Sequence, residues 1–135
     1  MTPFERQFER LKSFRAKETT AEPSFVPLPN GSYLILVPKV NLPQGWNRSE
    51  VDVLFVAPPG YPASQPDCFW VTPSGLRLQN GQTPQASNDA NPIPGDIVRP
   101  RNTTWFSWHL QSWNPNTDSL VTYFNVIMKR LNPAR

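Results

Sequence analysis

The chain is poor in the residues that most often build metal centres and covalent staples: it holds one cysteine, Cys68, and one histidine, His109. A single cysteine excludes an internal disulfide and the clustered thiolates of a structural zinc site. A single histidine excludes a catalytic zinc site built on several imidazoles, so neither a metal nor a cofactor is expected. No apolar run approaches the roughly 18 residues of a membrane span. The N-terminus alternates charged with aromatic residues where a signal peptide would be uninterruptedly apolar. These absences lead to the expectation of a cytoplasmic protein without membrane contact. Charge is also scarce: the net value is +3, and Arg6, Arg10, Lys12, Arg15 and Lys17 account for five of the thirteen basic residues. Nucleic-acid binding would need a basic face interleaved with aromatics, and the five tryptophans lie mostly away from that segment.

Proline is abundant, with 17 in 135 residues. Each interrupts a regular element, so helices are confined to the proline-poor ends and the middle is short strands and loops. That pattern, in a chain of this length, predicts one α+β domain over 1–135. An N-terminal helix is expected within 1–17, because Phe4, Phe8, Leu11 and Phe14 recur at helical spacing, Pro3 suits a first turn, and Glu22-Pro23 bars extension. Tyr33 to Val40, Val51 to Val56 and Cys68 to Thr72 read as strands, with a further one broken by prolines near Ser24 to Leu28. Their connections are too short for crossover helices, which predicts an antiparallel β-meander of about four strands.

A long loop is expected over 73–104, offering only Leu76, Leu78, Ile97 and Val98 to a core. Loops of that length tend to carry function, so it marks the expected site region. A C-terminal helix over 118–131 follows, with Leu120, Phe124, Ile127 and Leu131 on one stripe. Thr117 or Asp118 is placed to cap it, and Asn132-Pro133 to end it.

The order of helix, meander, long loop, Trp-x-Pro and helix resembles the ubiquitin-conjugating enzymes. Pro58 to Pro62, containing Tyr61-Pro62 and followed by Pro66, looks like the Tyr-Pro signature of that family; Trp113-Asn114-Pro115 looks like its Trp-x-Pro segment. A closer resemblance is to the divergent bacterial group called prokaryotic family E. It is carried by Val40 to Trp46, Pro58 to Pro62, Pro66 to Val71, Ser107 to Leu110 and Trp113 to Asp118. The resemblance implies a UBC-like fold whose 73–104 segment is an active-site loop. It also implies two partners, a ubiquitin-like protein and its activating enzyme, with target proteins left open, and transfer of an acyl group to a target amine.

Such chemistry needs a nucleophile, and the position where that family carries its cysteine is Trp105 here. Cys68 falls in an apolar strand run, where a thiol behaves as a small hydrophobe, and core packing is its expected role. The remaining candidates are Ser107, with Thr103 and Thr104 as alternatives, each a hydroxyl that would need a positioned base. His109 is the single imidazole that could serve, or else a structural histidine. On a helix Ser107 and His109 would point roughly 200° apart, whereas on extended backbone they share a side. Asn102 is a candidate oxyanion donor. Asp118 is read first as a cap and second as orienting a substrate amine. Arg6, Arg10 and Arg15 are candidates for docking the activating enzyme, or a solvated helix face. A non-catalytic variant that binds and presents a ubiquitin-like protein is the alternative function.

Overall fold

The computed structural model describes residues 1–96 and 101–135; Ile97 and Val98 lie outside the described residues. Helix α1 spans Pro3–Arg15. Thr2 caps it by accepting from the Glu5 N–H, while the Glu5 side chain accepts from the Thr2 N–H, so two otherwise unpaired donors are satisfied together. Phe4, Phe8 and Leu11 bury one stripe, as their spacing predicts. The helix stops at Arg15, two residues inside the expected limit, where the Glu18 and Thr19 N–H groups both turn back to the Arg15 carbonyl.

Among the described residues six strands form one antiparallel sheet: β1 Ser24–Pro27, β2 Tyr33–Asn41, β3 Glu50–Ala57, β4 Phe69–Thr72, β5 Ser87–Asn88 and β6 Thr104–Phe106, in the order β1-β2-β3-β4-β6-β5. The first four are the expected meander. The last two correct the count of about four: strands of two and three residues are too short to show alternation in sequence, and they form only because β4 offers Phe69 to Val71 as partners for Thr104 to Phe106.

Alternation along the strands divides the core in two. Ile35, Val37, Val53, Phe55, Phe69, Val71 and Phe106 face the helices. Leu34, Leu54 and Trp70 face the other way and pack with Leu28 and Ile93. Burying each such side chain stabilises the fold by about 1.5–3 kcal/mol. The second cluster explains part of the 73–104 segment, whose residues around Asn91 and Ile93 lie against the outer face of the sheet. Its Ile93 joins that cluster, its Asn91 carbonyl accepts from Trp70 Nε1, and its Leu76 is fully buried in the helix-side core. Two of its stretches are regular: β5, and a bridge between Leu78 and Trp46. Its last residue, Thr104, begins β6.

Helix α2 spans Leu120–Leu131 and buries Leu120, Tyr123, Phe124, Ile127 and Leu131. Its cap is Ser119, reciprocated by Thr122, rather than Thr117 or Asp118. Asp118 closes the turn before the helix, its Oδ2 accepting from the Asn114 N–H at 2.8 Å. The far end is tied down where Trp46 Nε1 donates to the Leu131 carbonyl at 2.8 Å, satisfying a terminal acceptor the helix leaves open. Among the described residues no helix is long and apolar enough to cross a membrane.

Candidate active site

Beyond β6 the chain continues without helix from Ser107 to Leu110. The Ser107 N–H donates to the Ala86 carbonyl at 2.8 Å, and the Cys68 N–H donates to the Trp108 carbonyl at 3.1 Å, so both neighbouring strands extend their pairing into this stretch. Its far end is fastened by Trp113, whose Nε1 donates to the Pro62 carbonyl at 2.8 Å and whose ring lies 5.9 Å from that of Tyr61. The Tyr-Pro and Trp-x-Pro segments therefore touch. Tyr61 in turn donates its hydroxyl to Gln7 of α1, and Pro66 is buried while Pro115 is exposed.

Residues two apart on extended backbone share a side. Ser107 Oγ lies 3.2 Å from His109 Nε2, and His109 Nδ1 lies 2.5 Å from Asp67 Oδ1. An ionised carboxylate only accepts, so Asp67 selects the tautomer with its proton on Nδ1, which leaves Nε2 free to accept the Ser107 hydroxyl proton. The imidazole and carboxylate are 62% and 56% exposed, so the series opens to solvent. Ser107 and His109 line a cleft of about 530 Å³ between this segment and α2, with Trp108 and Leu110 on one wall and Val126 and Lys129 on the other.

Beneath the cleft Arg130 is buried, its guanidinium 4.8 Å from the Phe106 ring centroid and 5.7 Å from that of Trp108. Its Nη2 donates to the carbonyls of Gln85 and Arg135. Burial, then the charge of Arg135, lowers its pKa to about 10, so it stays a cation at neutral pH. It stiffens the floor on which Trp108 rests.

Cys68 departs from the expectation of a strand core residue. It precedes β4, has φ 61°, and is half-buried. The Tyr123 hydroxyl donates to its carbonyl at 2.7 Å, and its side chain faces Asp67 and His109, with the donor atoms of all three within 4.8 Å of one another. Burial pushes the thiol up first of all; hydrogen bonds from the Trp108 backbone and the Trp105 side chain pull it down, and the Asp67 charge raises it.

The other hydroxyls go elsewhere. Thr103 and Thr104 are buried. Thr104 Oγ1 donates to Asp89 Oδ1 at 2.5 Å while accepting from the Gly75 and Leu76 N–H groups at 3.0 and 3.2 Å, which uses its full capacity. Thr104 starts β6 and Ser107 follows its end, roughly 10 Å away at a strand's rise. Exposed Asn102 lies before that strand, so it is not brought to Ser107. On α1, Arg6 and Arg10 are exposed. Arg15 is turned inward, 6% exposed, with its guanidinium 5.3 Å from the Phe124 centroid and its Nη2 donating to the Lys39 carbonyl.

Asp67 is the residue that sequence reasoning missed. It lies 42 positions from His109, and no periodicity links the two; the available signal was its place beside Cys68 in the proline-framed segment after Tyr61-Pro62.

The family described as Prokaryotic E2 family E matches residues 16–134. No curated protein and no solved structure matches the chain.

Proposed function

The chain belongs to the prokaryotic E2 family E, and on that premise we propose that it carries a ubiquitin-like protein as an oxyester on Ser107 and passes it to an amine. The observation that carries this reading is the hydrogen-bonded series from Ser107 through His109 to Asp67. The fold is read as UBC-like on the order of α1, meander, crossing loop, Trp-x-Pro and α2, and on the contact of Trp113 with Pro62.

The proposed chemistry is acyl transfer in two steps. Ser107 Oγ attacks the C-terminal carbonyl of the ubiquitin-like protein, held as a thioester on an activating enzyme. The hydroxyl proton passes to His109 Nε2 and from there to the departing thiolate, leaving an oxyester. A target amine then attacks the ester, His109 takes a proton from the nitrogen and returns it to Ser107 Oγ, and an amide bond replaces the ester. Asp67 holds the imidazole in the required tautomer and offsets its transient charge. The apolar side chains of Trp108, Leu110 and Val126 on the two walls of the cleft suit the flexible tail of the donor, and Lys129 adds a cation to the lining. Arg6 and Arg10 remain available for docking the activating enzyme; Arg15, spent on Phe124, is left out of that surface.

Incubation with the activating enzyme, ATP and the ubiquitin-like protein tests the reading. The expected product is an adduct stable to thiols, cleaved by mild hydroxide, absent in Ser107→Ala and converted to a thiol-labile adduct in Ser107→Cys. A thiol-labile wild-type adduct lost in Cys68→Ala would move the nucleophile to Cys68, and the proposal about Ser107 would fail.

A further inference from the structure

The side chains of Asp67, Cys68 and His109 contribute a carboxylate, a thiol and an imidazole whose donor atoms lie within 4.8 Å of one another. These are the three ligand types of zinc chemistry, and three protein ligands with one open position is the pattern of an accessible zinc site. A tetrahedral cation at usual bond lengths needs its donors roughly 3.3–3.8 Å apart, so the widest separation within the 4.8 Å group must shrink by about 1 Å while Asp67 Oδ1 and His109 Nδ1, hydrogen-bonded at 2.5 Å, must part by about as much. Asp67 and His109 have the freedom for that, being exposed side chains on rotatable bonds. Cys68 does not need to move: its N–H is held by the Trp108 carbonyl and its own carbonyl by the Tyr123 hydroxyl.

We propose that Asp67, Cys68 and His109 form a binding site for a zinc-class divalent cation, and that occupancy of this site switches off Ser107. The second half rests on the oxyester reading; the first stands on the ligand geometry alone. Binding releases the Cys68 thiol proton to solvent and replaces the Asp67–His109 hydrogen bond with two bonds to the cation. Whichever ring nitrogen the metal takes, Ser107 loses its base. If Nδ1 is the ligand, the remaining proton sits on Nε2, which can only donate towards Ser107 Oγ. If Nε2 is the ligand, the lone pair that faced Ser107 is consumed. The fourth position is left to water. Cys68 takes no part in the proposed acyl transfer, so this residue separates metal control from chemistry.

Cobalt(II) titrated into tag-free protein is the direct probe, because a cobalt–thiolate bond gives a near-ultraviolet absorption band that carboxylate or imidazole ligation does not. The expected result is such a band saturating at one equivalent, reversed by zinc. It should vanish in Cys68→Ala and weaken more than about tenfold in affinity in His109→Ala. Cys68→Ser, nearer in size, serves as a second variant, with near-ultraviolet circular dichroism establishing that both are folded. No band in the wild type, or a band that persists in folded Cys68→Ala, overturns the site. For the regulatory half, one equivalent of zinc should cut adduct formation at least tenfold in the wild type and leave Cys68→Ala unaffected. Equal loss in both, or in neither, overturns the switch. A cobalt band in a protein that forms no adduct even without metal would leave the site standing and instead remove the oxyester reading.

Discussion

His109 Nδ1 lies 2.5 Å from Asp67 Oδ1, joining the segment after β6 to the residue that precedes Cys68 ahead of β4. The contact fixes which face of the imidazole meets Ser107, and it makes the two side chains separable by experiment. Replacing His109 by Gln removes the base and is expected to slow adduct formation roughly 10²–10⁴-fold. Asp67→Asn keeps the base and loses only its orientation. In an exposed, solvent-screened position that costs less, roughly tenfold or about 1.4 kcal/mol of barrier. Single-turnover rates of adduct formation in the two variants check this order; equal losses would contradict it.

Trp113→Phe keeps an aromatic ring against Tyr61 and deletes the donor to the Pro62 carbonyl. The expected loss of stability is about 1 kcal/mol, read as a shift of the urea midpoint without a change in slope. Because the same bond anchors the end of the segment carrying Ser107 and His109, adduct formation should fall by more than the small unfolded fraction explains.

Asp89 supplies a pH test of the crossing loop. Its carboxyl is held below the usual carboxylate range first by the Arg77 side chain, helped by Thr104 and the Gly75 N–H and opposed by burial. A folded pKa below the unfolded one contributes stability above the unfolded value, and that stability is lost as pH falls through the folded one. Asp89→Asn should therefore be less stable than the wild type near neutrality, and the gap should close as pH drops below about 4. Urea midpoints across that range decide it; a gap independent of pH would contradict the assignment.

At the start of α2, Ser119→Ala removes the side chain that accepts from the Thr122 N–H. A loss of about 1 kcal/mol is expected, while Thr117→Ala should be close to neutral because Thr117 is not the cap. Denaturant melts of the two variants distinguish the assignments.

What the sequence could and could not disclose follows from the range of the interactions involved. Phe4, Phe8 and Leu11 bury one face of α1, and Leu120, Phe124, Ile127 and Leu131 one face of α2, because helical spacing is a local property that a single chain displays. The four strands of the meander were legible for the same reason. Strands β5 and β6 were not, since pairing across the sheet, rather than alternation within two or three residues, creates them. Within the candidate site, the condition that Ser107 and His109 share a side only on extended backbone could be stated in advance, but whether the backbone is extended depends on Ala86 and Cys68, both remote in sequence. Asp67 was invisible on the same ground. The position of Cys68 is not legible because an apolar run does not reveal that its first residue adopts φ 61° and turns its thiol towards His109. Arg15, basic and on an amphipathic helix, reads as a surface residue until Phe124 is found beneath it.

The most direct test of the account is to locate the covalent bond. The adduct formed with the activating enzyme, ATP and the ubiquitin-like protein is trapped, digested below the pH at which esters hydrolyse, and sequenced by tandem mass spectrometry. The prediction is an ester of the donor's C-terminal residue on Ser107. The same residue found on Cys68, or on Lys129 in both wild type and Ser107→Ala with Ser107 unmodified in the wild type, would contradict it.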